Sequence, residues 1–239
     1  MTKSFESEIR LQRQYYAATA GRYDQLHGGA DSSHFVALGF LTGLLDDLQV
    51  KTILDIGSGT GRCLLYLKEK RPDLKIIGIE PVRELREIGY SKGLAAQDLV
   101  DGDATRLAFQ DGAFDLVCEF GALHHIPRPE RAVKEMLRVA KKAIFISDSN
   151  NFGEGSALTR LVKQGLNGLG LWPLANWIKT RGRGYSLGEG DGLAYSYSVF
   201  NNYTLIKRHC RRVYLLDTDG RGVNPYRSAS HVALLGIKR

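Results

Sequence analysis

Residues 52–63 read TILDIGSGTGRC, and the fold turns on them. Ile53, Leu54 and Ile56 make a short apolar run, Gly57, Gly59 and Gly61 follow within five residues, and helical spacing takes over beyond Thr60. A buried strand that passes through a glycine turn into a helix leaves backbone N–H groups bare, so a ligand can lie against them. Outward from this stretch, apolar runs recur as KIIGIE at 75–80, DLVCEF at 115–120 and AIFISD at 143–148, separated by helical segments. Strands alternating with helices specify a parallel sheet with right-handed crossovers. The pattern predicts strands at 52–56, 75–80, near 97–100, 114–119 and 142–147, and helices at 60–70, 82–91 and 129–139, with Pro81 at the entry of the second helix.

The remaining chain reads differently. Before residue 50, Phe5, Ile9, Tyr16 and Tyr23 form one helical stripe and Phe35, Leu38, Leu41, Leu45 and Leu48 another, with GGADSS at 28–33 between them as a loop. Residues 150–208 break the strand–helix rhythm with glycines and with aromatics such as Phe152, Trp172, Trp177 and Tyr185, and read as a lid insertion. RRVYLLDT at 211–218 and HVALLGIKR at 231–239 read as a closing antiparallel hairpin. At 239 residues, and about 100–200 residues per domain, the expectation is one domain. It divides into a helical cap at 1–50, a ligand-binding core at 51–149, the lid at 150–208 and the hairpin at 209–239.

A hydrophobic fraction of 43% with 25% charged residues excludes a disordered or collagen-like chain. No run of 18 apolar residues occurs and the N-terminus is charged, so a cytoplasmic location is expected. Cys63, Cys118 and Cys210 lack the spacing of a disulfide framework or zinc site; they are expected to be free thiols, and no metal site is expected. The net charge of +7 is uneven: residues 1–150 carry 20 Lys and Arg against 21 Asp and Glu, and residues 151–239 carry 13 against 5. The basic excess suits an acidic ligand, an anionic membrane surface, RNA or simply a solvated face.

Spacing limits the ligand. A dinucleotide fingerprint needs GxGxxG, but the third glycine arrives one residue early, and no GxxxxGK[ST] phosphate loop is present. Glu80 ends the second strand, 23 positions after Gly57, where its carboxylate can accept from both hydroxyls of a ribose or, equally, sit at a helix N-terminus. Asp103 in GDATRLAF can accept from an exocyclic amine, or close an Asx-turn. FDLVCEFGALHHI brings Gly121, His124 and His125 to the same sheet edge.

Taken in order, DIGSGTG, IGIEP, GDATRLAF and FDLVCEFGALHHI resemble the class I S-adenosylmethionine-dependent methyltransferases, over about residues 10–150 and the terminal hairpin. The leader YYAATAGRYD is similar to one that folds over the cofactor in small-molecule members. The resemblance implies a Rossmann-like α/β fold, a doubly wound, mostly parallel seven-stranded sheet. It also implies S-adenosyl-L-methionine as cofactor, with Gly57, Ser58, Gly59 and Gly61 near its methionine part, Glu80 on the ribose, and Asp103 with Ala104 on adenine. Asp55 would support the loop and the cofactor's amino group, Phe120 would lie near the cofactor, and Tyr15 or Tyr23 would close over it.

Methyl transfer from a sulfonium is an in-line displacement that needs alignment more than catalytic side chains. For a hydroxyl acceptor, His124 or His125 is the candidate base, and a structural hydrogen bond is the alternative role for either; Asp148 either touches an acceptor or caps a turn. EFGA stands where amine-methylating enzymes of nucleobases or glutamine carry [DN]PP[YF], which disfavours those substrates and favours a small-molecule acceptor, apolar or anionic, with oxygen, nitrogen or carbon as the methylated atom. The stretch 156–185 mixes Leu, Val and Trp with Lys and Arg, as a packing face, an acceptor pocket or a peripheral membrane contact would. RNA or protein methylation through the basic C-terminal part, and a cofactor-binding protein without catalysis, are the competing readings, although the length leaves no room for an appended RNA-binding domain. The oligomeric state is not readable from the pattern.

Overall fold

The computed structural model describes residues 5–27, 33–220 and 222–239, so the GGADSS loop lies outside the described residues except for Ser33. The strands are β1 (Thr52–Ile56), β2 (Lys75–Ile79), β3 (Leu99–Val100), β4 (Phe114–Phe120), β5 (Ala140–Ser149), β6 (Tyr185–Gly188), β7 (Gly192–Tyr195), β8 (Cys210–Asp217) and β9 (His231–Lys238). The helices are α1 (Glu6–Thr19), α2 (Tyr23–His27), α3 (Ser33–Leu44), α4 (Arg62–Lys70), α5 (Arg83–Ser91), α6 (Pro129–Val139), α7 (Ala157–Gly168), α8 (Trp172–Lys179), α9 (Tyr203–His209) and α10 (Pro225–Ser228).

Among the described residues, seven strands form one sheet in the order β3-β2-β1-β4-β5-β9-β8, parallel from β3 to β5, with β9 antiparallel to both β5 and β8. The mostly parallel Rossmann-like sheet with a terminal antiparallel pair is therefore the fold. Neighbouring side chains of β1 point to opposite faces. Leu54 and Ile56 join Met136, Ile144 and Ile206 in the core under α6 and α9, whereas Ile53 joins Leu38, Leu41 and Leu64 under α3 and α4. Burial on both faces explains why these strands read as continuous apolar runs. The chain order reverses between β1 and β4, and the crevice beyond the carboxyl ends of such strands is where an open α/β sheet receives a ligand.

A smaller cluster of Ala20, Val82 and Leu85, with Tyr16 and Tyr23 against it, seats α1 and α2 on α5. The segment read as a lid is two structures. Helices α7 and α8 and the β6–β7 hairpin stand outside the main sheet, but Val199 and Ile206 are fully buried and α9 packs against α6 and β8. No helix among the described residues is long and apolar enough to cross a membrane.

Candidate active site

The glycine turn after β1 is held by its own geometry. Gly57, Gly59 and Gly61 have φ of +67°, +57° and +82°, the left-handed region that side chains disfavour. A Cβ on Gly57 would overlap that of Ala122, and one on Gly59 would stand 2.8 Å from the Tyr23 hydroxyl. The turn is therefore pressed between the β4 loop and the helical cap. Ser58 is buried and its hydroxyl donates to the Asp55 carbonyl at 3.0 Å.

A cavity of about 360 Å³ opens beside this turn; its walls include Gly57, Glu80, Asp103, Ala104, Tyr16, Tyr23 and His125. Small-molecule sites occupy roughly 300–1,000 Å³, so the volume suits one. Glu80 is buried, and its two oxygens accept from the backbone N–H groups of Gly59 (3.0 Å) and Val82 (2.9 Å). Burial pushes its carboxyl up to about 7 against the pull of those two bonds. Each oxygen keeps a lone pair beyond the backbone bond, as two ribose hydroxyls would require. Asp103 accepts from the backbone N–H and hydroxyl of Thr105 through one oxygen, closing an Asx-turn, and from Arg13 at 2.9 Å through the other. Burial alone would raise its carboxyl, but the Thr105 bonds and the Arg13 charge hold it below its ordinary value.

Other expected residues stand away from the cavity walls. Asp55 is buried beneath the turn, 3.8 Å from the Cys118 thiol, and burial pushes it up to about 7. Phe120 packs on Phe145 with ring centres 5.7 Å apart. Tyr15 turns toward the β6–β7 hairpin and accepts from the Gly190 N–H at 2.7 Å, and its neighbour Tyr16 takes the cavity side.

The two histidines divide their roles. His124 donates from Nδ1 to Asp148 at 2.6 Å, and its Nε2 faces Asp191 at 3.5 Å. Burial opposes its charge, yet the two carboxylates raise its pKa well above the ordinary value, so His124 is an imidazolium in an ion-pair cluster. Asp148 is fully buried and also caps the Leu123–His125 turn by accepting from the Leu123 N–H at 2.8 Å. Burial and the His124 charge lower the pKa of His125, which lines the cavity as a neutral ring. Its Nδ1 donates to the Leu193 carbonyl at 2.7 Å, which leaves Nε2 to accept from the Tyr16 hydroxyl at 2.8 Å.

Asp191, at the tip of the β6–β7 hairpin, was missed in the sequence, as was Gln12 of α1. Asp191 lies 3.3 Å from Nε2 of His125 and 3.9 Å from Nε2 of His27. Gln12 donates to the Asp191 carbonyl at 3.0 Å and accepts from the Leu193 N–H at 2.5 Å. The glycine-flanked turn EGDG between YSL and LAY carries a hairpin signal that locates the first; nothing local marks the second. Among the described residues, the sets His124–His125–Asp191 and Asp55–Cys63–Cys118 bring ligand-type atoms within 4.8 Å of one another. The first is satisfied as ion pairs and hydrogen bonds, and the second is sealed under the glycine turn.

The geometry has counterparts among known proteins. Residues 54–146 match the family model described as a methyltransferase domain. The chain is 34% identical over 108 residues to ajmaline N-methyltransferase of Rauvolfia serpentina, covering 42% of this chain and 37% of that protein. It is 30% identical over 99 residues to demethylmenaquinone methyltransferase of Thermotoga maritima, covering 41% and 43%. The chain thus spans less than half the length of these two curated relatives. The fold is shared over almost the whole length with an S-adenosylmethionine-dependent methyltransferase of Thermotoga maritima, at a TM-score of 0.60 and 18% identity, covering 97% of this chain and 100% of that one. A glycine cradle, a buried carboxylate at the end of β2 and a cavity of small-molecule size fit the nucleoside cofactor that this group of proteins uses. Residues 54–146 thus match a methyltransferase domain, and the chain as a whole shares the fold of an S-adenosylmethionine-dependent methyltransferase.

Proposed function

We propose that the protein transfers a methyl group from S-adenosylmethionine to a small acceptor with an apolar body. The cavity carries this reading: its walls combine Glu80 and Asp103 with the apolar Phe5, Ile9, Ile126 and Pro127, and with Arg128 and Arg131 for an acidic substituent. The bound cofactor supplies an activated methyl on a sulfonium. The chain's part is to hold the two reactants in line and away from water. Gly57 and Ala104 give close backbone approach, Glu80 accepts from ribose hydroxyls, Asp103 accepts from adenine, and Tyr23 covers the glycine turn.

For an acceptor that loses a proton, His125 is the group placed to take it, because its neutral ring faces the cavity; His124 already carries a proton between two carboxylates. The relatives named ajmaline N-methyltransferase and demethylmenaquinone methyltransferase act, by their names, on small molecules, which accords with a small acceptor here.

Calorimetry with S-adenosylhomocysteine tests the cofactor half: Glu80→Ala and Asp103→Ala should each weaken binding by roughly 1–3 kcal/mol, and unchanged affinity in both overturns the placement. Incubation with methyl-labelled cofactor and a cell extract tests the acceptor half. Label in the small-molecule fraction supports it, and label confined to RNA or protein overturns it.

A further inference from the structure

Helix α7 is largely built inside out, and both α7 and α8 turn apolar side chains to solvent. On α7 polar side chains reach the body of the protein beside the half-buried Leu166: the buried Lys163 ammonium donates to the carbonyls of Asn151 at 2.7 Å and Glu154 at 3.2 Å, and Gln164 donates to those of Phe152 at 2.9 Å and Arg227 at 3.1 Å. The side chains turned to solvent are apolar. Leu158, Leu161, Leu169, Leu174, Trp177 and Ile178 each leave between 56 and 74% of their surface exposed. A helix that ends at water shows the opposite arrangement. Scattered single apolar residues are ordinary on a surface, but six exposed ones on two helices that pack on each other and on the link between them mark an interaction face.

Charge identifies the partner. Between residues 155 and 188 the chain has no Asp or Glu, and besides the inward-turned Lys163 it carries Arg160, Lys179, Arg181 and Arg183. A second copy of this chain would bring like charge against like. A protein partner that buried these leucines would offer apolar surface without needing the cationic fringe. A bilayer with anionic headgroups satisfies both features, since leucines and an indole enter the acyl boundary while lysine and arginine stay at the headgroups. At 12 and 8 residues, the helices are too short to span and are suited to lie in the interface plane.

We infer that the α7–α8 face docks the protein on an anionic lipid surface. Docking needs neither cofactor nor acceptor, so it stands or falls independently of the methyl-transfer reading.

Co-sedimentation of the full chain with phosphatidylcholine vesicles, with and without phosphatidylglycerol, tests the inference. In Trp172→Phe, where Trp177 is the remaining indole, emission should shift to the blue on binding the anionic vesicles. Leu161→Asp and Trp177→Asp should each weaken partitioning about tenfold or more, from the loss of a buried apolar side chain. Lys179→Gln with Arg181→Gln should remove the preference for phosphatidylglycerol, and salt should do the same. These positions are exposed, so unchanged circular dichroism and melting serve as the folding control. Three results overturn the inference: no partitioning by the wild type, partitioning that the apolar variants leave unchanged, or a wild-type dimer that the same variants disperse.

Discussion

The Tyr16 hydroxyl stands 2.8 Å from Nε2 of His125, joining helix α1 to the loop after β4 in the wall of the candidate site. With Nδ1 committed to the Leu193 carbonyl, this nitrogen is the position on His125 that can accept a proton. His125→Ala should lower turnover by about 10²–10⁴-fold for an acceptor that must be deprotonated, with cofactor affinity little changed. Tyr16→Phe leaves the nitrogen without its donor and should cost about 1–3 kcal/mol of stability. Single-turnover transfer and urea melts separate the two effects.

Removing His124 acts on folding. His124→Ala leaves Asp148 buried and Asp191 partly buried without the cation between them, and should destabilise the protein by about 3–5 kcal/mol. The pH dependence follows from both partners. His124, raised in the folded state, contributes fully below its unfolded value near 6.5, and the contribution is lost as pH rises through the raised value. Asp148, lowered to about 2 chiefly by the His124 charge against burial, contributes above its unfolded value and loses that contribution as pH falls through the folded one. Urea melts between these limits should show a plateau that His124→Ala lowers and flattens.

Cofactor binding should depend on Glu80 in the opposite sense to a group held charged. Burial raises this carboxyl to about 7, so the unliganded protein holds a proton there that a ribose hydroxyl, itself a donor, must displace. Affinity for S-adenosylhomocysteine should therefore rise with pH through about 7 and level off above it. In Glu80→Gln the slope should vanish and the affinity stay low. The same shift lowers stability between about 4.5 and 7 as pH rises, because the native state binds the extra proton.

Gly57→Ala couples turn and histidines. The added methyl meets Ala122, which leads into the Leu123–His125 turn, at a φ that L-residues avoid. A loss of about 2–4 kcal/mol in thermal or urea unfolding is expected. His125-dependent turnover should fall with it.

The sequence makes the sheet legible because strands buried on both faces must be continuous apolar runs, and the glycine turn legible because its φ values demand glycine. Glu80 and Asp103 follow from their places after strand ends. The phase of α1 is legible only in part. The stripe of Phe5, Ile9 and Tyr16 marks the side that lines the cavity, but the buried positions Glu8 and Gln12 are polar and carry no apolar signal for the side that meets the hairpin. Gln12 and Leu193 are 181 residues apart, and a contact that far along the chain leaves no local trace in either segment. Val199 and Ile206 belong to the core although the glycines and aromatics before them read as lid, because a short amphipathic helix after an insertion offers little pattern of its own.

The hairpin ties its strands to the cap at several points: Tyr195 donates to Glu8 at 2.6 Å, Gln12 spans Asp191 and Leu193, and Tyr15 receives Gly190. Any motion that lifts α1 from the cavity must carry β6 and β7 along or break all of these bonds, and it draws Asp191 away from the histidines in the same stroke. In the proposed reaction, product departure and the release of His125 from Asp191 would then share one rate, and a substitution at Gln12, which lines the cavity and holds the hairpin, would set how long a product stays.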